Sequence, residues 1–148
     1  MPGAKRLEEL IIWTLACELR DGICAALSQG ESALDRDFRW QIESSCRSVA
    51  SNIAEGYGHF RPRPFANYLR IARASAMETR SHITEGRTKY FSPVQADRFF
   101  RLAIRIIAGT SSLIRYLDSC DPNLDLRPHS PRKGGPPSES QPPEPPNP

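Results

Sequence analysis

Lysine is almost missing from this chain: of its 20 basic residues only Lys5, Lys89 and Lys133 are lysines. Cysteine is sparse too. Cys17, Cys24, Cys46 and Cys120 form no C-x-x-C pair, which removes zinc and thioredoxin-like readings. Cys17 and Cys24 share a helical face but stand about two turns apart, too far for a disulfide within a straight helix. Each cysteine therefore reads as a small buried hydrophobe. No apolar run approaches the roughly 20 residues of a membrane span, so no membrane partner is expected. The N-terminal residues run into Glu8 and Glu9, unlike a secretory signal, and the absence of targeting signals favours the cytoplasm. There is no glycine-rich phosphate loop and no G-x-S-x-G.

Histidine is limited to His59, His82 and His129. A metal site in the core of a helical bundle needs an E-x-x-H on each of two helices and two further glutamates. Glu78, His82 and Glu85 share a helix side without supplying that set, and a surface ion-pair cluster accounts for them better. No metal and no cofactor is expected. No catalytic residues are assigned, and the chain reads as non-enzymatic.

What is present is helical periodicity, with no strand pattern. The first helix is predicted over residues 5–27, with Ile12, Leu15, Leu19, Ile23 and Ala26 on one face. Leu10, Ile11 and Trp13 widen that face, either as a broad core surface or as a contact with another subunit. Gly30 suits the break that follows. The second helix is predicted over 34–56, with Phe38, Ile42, Cys46, Val49 and Ile53 in line and Trp40 off the line. The third is predicted over 64–84, starting at Pro64, with Phe65, Leu69, Ala72, Ala76 and Ile83 on the core face. Small residues Ala72, Ala74, Ser75 and Ala76 would let a neighbouring helix come close. The fourth starts at a capping box, Ser92-Pro93-Val94-Gln95, carries Phe99, Leu102, Ile106, Thr110, Leu113 and Leu117, and stops at Asp121-Pro122. Short connections then predict an all-α, antiparallel, up-down-up-down four-helix bundle over residues 1–121. Residues 122–148 read as a disordered or polyproline-like tail, since proline fills nine of the last 21 positions.

The stretch Ser51-Asn52-Ile53-Ala54-Glu55-Gly56 mixes small, polar and apolar residues too closely for an ordinary amphipathic face. Glu55 lacks a neighbouring histidine or second acid for general-base work. A buried Glu55 and Asn52, obliged to find hydrogen-bond partners, would instead fix how the helices register, and Gly56 would end the helix.

Charge is unevenly spread. Residues 1–37 hold four bases against seven acids, whereas residues 61–115 hold eleven bases against Glu78, Glu85 and Asp97. Arg63, Arg70, Arg73, Arg80 and Arg87 mark the third helix, and Arg98, Arg101 and Arg105 share a side of the fourth. The guanidinium fork matches phosphate oxygens, so a basic stripe on adjacent helices is a candidate nucleic-acid footprint. The alternatives are a solvated face, or salt bridges to the acidic first helix of a neighbouring subunit.

The run Gln41-Ile42 and Ser48-Val49-Ala50-Ser51-Asn52-Ile53-Ala54-Glu55-Gly56 closely resembles the signature of a family of bacterial four-helix-bundle proteins. That family includes proteins encoded in intervening sequences of 23S ribosomal RNA genes and the accessory variability determinant of diversity-generating retroelements. Trp13 is similar to its early tryptophan. Arg61, Phe65, Leu69-Arg70-Ile71-Ala72-Arg73-Ala74-Ser75 and Glu78 are similar to its third-helix pattern. The resemblance implies a non-enzymatic homopentamer shaped as a tapered ring. For the retroelement members it implies a basic surface that binds RNA and a reverse transcriptase. Glu43 and Ser44 stand where paired basic residues are usual, Ala50 stands where proline is usual, and the proline-rich tail is extra. The first departure shifts the expected RNA contact to the third and fourth helices. The expected function is thus an RNA-binding accessory of a reverse transcriptase. The alternative is a structural or interaction oligomer of the intervening-sequence type, or of another mobile-element or defence system, without direct RNA binding.

Overall fold

The computed structural model describes residues 6–28 and 35–128. These form a short 3-10 turn, Leu7–Glu9, and four α-helices: α1 Ile11–Ala26, α2 Arg36–Gly58, α3 Pro62–Gly86 and α4 Pro93–Ser119. The break assigned to Gly30 and the proline-rich stretch 129–148 lie outside the described residues. No strand occurs among the described residues, and none of their helices is long and apolar enough to cross a membrane.

Each helix packs on its chain neighbours, and α4 closes against α1. Contacts between helices set the directions. Thr79 of α3 meets Ser45 of α2, and Tyr68 meets Glu55, so the two helices run antiparallel. Arg70 meets Asp118 and Arg87 meets Asp97, which makes α3 and α4 antiparallel as well. The predicted faces form the core. Leu19, Ile23, Ile42, Val49, Ile53, Phe65, Leu69, Ile83 and Ile106 are fully buried. Each such side chain contributes about 1.5–3 kcal/mol through apolar burial. Of the small residues on α3, Ala72, Ser75 and Ala76 are buried while Ala74 points to solvent. Leu10 is buried and Trp13 packs partly on the core, but Ile11 is exposed, so the first helix carries both a broad core face and an apolar residue outside it.

The helix ends depart from the sequence reading. The chain is extended at Leu10 rather than helical from residue 5, and this turn carries the Leu10 side chain inward. Asp35 caps α2 by accepting the Phe38 N–H at 3.1 Å. A hydrogen bond from the Tyr90 hydroxyl, and then the Phe38 N–H, hold the Asp35 carboxyl below its ordinary range. α2 continues past Gly56 to Gly58. α3 begins at Pro62, two residues before Pro64, because Arg61 is extended and Pro62 takes the first helical position. The Ser92 capping box forms as expected: Gln95 N–H to Ser92 Oγ at 3.2 Å, and Ser92 N–H to Gln95 Oε1 at 3.0 Å.

Residues 122–128 run back over the α2–α3 turn. Leu126 N–H donates to Phe60 O at 2.9 Å, and Arg61 donates to Asn123 O at 2.9 Å. Phe60 holds a left-handed backbone (φ 52°) at this turn.

Burial pushes the Cys46 thiol up to about 12. The thiolate is the reactive form, so Cys46 is inert in the folded chain. A thiol-reactive dye at about pH 8 should label the half-exposed Cys24 and Cys120 in the native protein, and Cys46 only after denaturation. Native labelling of all four cysteines would contradict this placement.

Candidate nucleic-acid interface

Between α2 and α3 the polar residues form a seam of short contacts. Thr79 Oγ1 lies 2.9 Å from Ser45 Oγ and 2.8 Å from Ser75 O. Asn52 Nδ2 donates to Ser48 O at 2.8 Å and to Ser48 Oγ at 3.0 Å. Ser48 Oγ also lies 2.9 Å from Ser75 Oγ on the facing helix, a contact in which either hydroxyl can donate. Asn52 thus acts within its own helix, and the bond across the seam is made by Ser48.

Two roles assigned to the 51–56 stretch change. Glu55 is exposed rather than buried, because its position on α2 falls at the outer rim of the seam. It still ties the helices together, accepting from Tyr68 Oη at 2.8 Å, and this bond raises the Tyr68 phenol above its ordinary range. His59 stacks on the same Tyr68 ring at 5.1 Å. Gly56 does not end α2. It lies inside the helix, where an added Cβ would meet Tyr68 Cβ at 2.7 Å and the Phe65 ring at 2.8 Å. Ile53 is fully buried, Ala54 half-buried and Ser51 exposed.

Of the eight arginines, four reach α4, one reaches α1 and three form a free set. Arg70, Arg73, Arg80 and Arg87 all reach across to α4. Arg70 pairs with Asp118 at 2.6 Å, Arg73 donates to Ser111 Oγ at 3.3 Å, Arg80 lies over the Phe100 ring at 6.0 Å, and Arg87 pairs with Asp97. Arg98 turns the other way and pairs with Glu18 of α1 at 2.8 Å. Arg63, Arg101 and Arg105 are exposed and have no hydrogen-bond or ion-pair partner among the described residues. The stripe is therefore not one face. Arg70, Arg73, Arg80 and Arg87 follow the α3–α4 seam, while Arg98, Arg101 and Arg105 lie toward the α4–α1 edge.

The carboxylate partners come from other helices. Counting acids within one helix misses them, since Asp118 is 48 residues from Arg70 and Glu18 is 80 from Arg98. Exposed pairs of this kind are worth about 0.2–1 kcal/mol, so exchanging a carboxylate for a phosphate costs little. Cations outside the 61–115 stretch escape a count of charge by segment as well. Arg36 and Arg47 stand on the outer face of α2, and Arg36 has no partner among the described residues. Four-residue spacing around Trp40 is the signal in the sequence that points to Arg36.

His82 packs edge-on against Phe38 at 6.3 Å, 3.6 Å from each of Glu78 and Glu85, and its Nε2 has no hydrogen-bond partner among the described residues. Among the described residues no group of three or more histidines, cysteines or carboxylates is placed to hold a metal ion.

Residues 8–111 match the family model described as 23S rRNA-intervening sequence protein. No curated protein matches the chain.

Proposed function

The chain belongs to the 23S rRNA-intervening sequence protein family, and on that premise we propose that it is a non-enzymatic, homopentameric RNA-binding accessory that partners a reverse transcriptase. The observation that carries this reading is the free set, Arg63, Arg101 and Arg105: exposed guanidinium groups with no partner among the described residues. Arg70, Arg73, Arg80, Arg87 and Arg98 extend the surface by exchanging their weak intramolecular contacts for phosphate oxygens.

Single-stranded RNA titrated into the purified full chain should bind with an affinity that falls steeply as salt rises. In Arg101→Ala with Arg105→Ala, the salt slope should drop by roughly one for each phosphate no longer bound. Absence of binding at low salt overturns the RNA reading. Light scattering tests the assembly, and a monomer would sink the pentamer. Co-purification with a co-expressed retroelement reverse transcriptase tests the partner.

A second reading, a structural oligomer without direct RNA binding, is favoured by the pairing of Arg70, Arg87 and Arg98 with carboxylates of other helices. The same chemistry between subunits would join arginines to the acidic first helix. Under this reading the double arginine variant loses oligomeric mass, and the unsubstituted chain binds no RNA.

A further inference from the structure

Trp40 stands apart from every packing role in the bundle. It is 72% exposed and has no place among the aromatic side chains that pack on the core. It lines an open depression of about 400 Å³ with Arg36, Arg39 and Glu43. Glu43 is only 13% exposed and lies at the base of this surface, accepting from Arg39 at 2.8 Å and holding Arg47 at 3.5 Å. Arg36 has no partner among the described residues. On the helix, Arg36 sits about 6 Å before Trp40 along the axis and Arg47 about 10 Å after it. The indole is thus an exposed apolar plate with an arginine position one turn before it and another two turns after it along α2.

The neighbours decide what such a plate fits. An anchor for another protein sits in an apolar patch whose rim excludes water. One turn from Trp40 on α2 stand Arg36, Asp37, Glu43 and Ser44, and Arg47 stands two turns on; all are polar, and all but Glu43 are exposed. Three arginines face two carboxylates, Asp37 and Glu43, and Glu43 is already committed to Arg39 and Arg47. Exposed aromatic rings between cations are how proteins hold unpaired bases, the ring stacking on the base and the cations tracking the backbone. We infer that Trp40 is a stacking platform for an unpaired nucleobase of single-stranded RNA, with Arg36 and Arg47 contacting the flanking phosphates. This inference rests on the RNA-binding reading. It returns part of the RNA contact to α2, although Glu43 and Ser44 stand there in place of a basic pair.

The test compares the full chain with Trp40→Ala, Trp40→Phe and Trp40→Tyr, using a single-stranded oligouridylate, a duplex RNA and heparin as probes. Trp40 is exposed, so the variants should keep their helical signal. Trp40→Ala should bind the oligouridylate about tenfold more weakly, and Trp40→Phe and Trp40→Tyr should recover most of that affinity. Duplex and heparin affinity, which depend on charge, should be unchanged. Tryptophan emission should be quenched by the oligouridylate in the unsubstituted chain and not in Trp40→Phe, where only Trp13 remains. Unchanged oligouridylate affinity in Trp40→Ala overturns the inference, as does emission that RNA leaves unaltered. A fall in oligomeric mass in Trp40→Ala overturns it too, since the ring would then pack on a second copy. In these three cases the RNA-binding reading stands if the unsubstituted chain still binds. If that chain binds no RNA at low salt, the reading itself fails and takes this inference with it.

Discussion

Ile53→Ala should lower the unfolding free energy by about 2–5 kcal/mol, while Ser51→Ala, two positions earlier, should change it by no more than about 0.5 kcal/mol. Both residues belong to the stretch that resembles the family's signature, so their unequal effects separate packing from signature. Ile53 is fully buried on the core side of α2. Truncating it removes apolar contact and leaves a cavity that the neighbouring helices close only in part. Alanine is the better helix former by less than about 0.7 kcal/mol, which does not change the sign. Ser51 points to solvent and has no side-chain partner among the described residues. Urea titrations followed by circular dichroism will measure the difference, with the midpoint shifted and the slope unchanged. Equal destabilisation at both positions would mean that Ser51 is buried in an interface that the single chain does not reveal.

The core was legible because it repeats with the helix. Ile42, Cys46, Val49 and Ile53 recur at three- and four-residue steps, and every one is buried. The start of α4 was legible for a related reason: Ser92 and Gln95 satisfy each other's backbone donors within one turn, so no distant residue is needed. What failed needed the third dimension. Glu55 reads as buried in a stretch where small, polar and apolar residues crowd together, yet its place on α2 turns it to the rim of the seam, where Tyr68 of the next helix meets it. The arginines of α3 looked unneutralised because their partners, Asp97 and Asp118, belong to α4. Periodicity places Trp40 off the apolar line and says no more. Its exposure and its free neighbour Arg36 are properties of the folded surface.

Gly56 is the sharpest of these cases. Glycine read in sequence suggests a helix end, but α2 passes through Gly56 and continues to Gly58. Two glycines thus share one helical turn and differ in surroundings. At Gly58 an added Cβ meets nothing within 4 Å among the described residues. Gly58→Ala should therefore be neutral or stabilise the protein by up to about 1 kcal/mol, through helix propensity and a less flexible unfolded chain. At Gly56 the same methyl would lie 2.7 Å from Tyr68 Cβ, 2.8 Å from Phe65 Cδ2 and 3.3 Å from Phe65 O. Neither a Cβ nor a backbone oxygen swings aside as a side-chain tip does, and Phe65 is fully buried. The helices must part, and parting them strains the Ser48–Ser75, Ser45–Thr79 and Glu55–Tyr68 contacts along the same seam. Overpacking of this kind outweighs the propensity gain, so Gly56→Ala should destabilise the protein by about 1–3 kcal/mol. Parallel urea titrations of the two variants should then move in opposite directions from the unsubstituted chain. A stabilised Gly56→Ala would show that the α2–α3 seam yields freely, and that the glycine is there for some reason other than close approach.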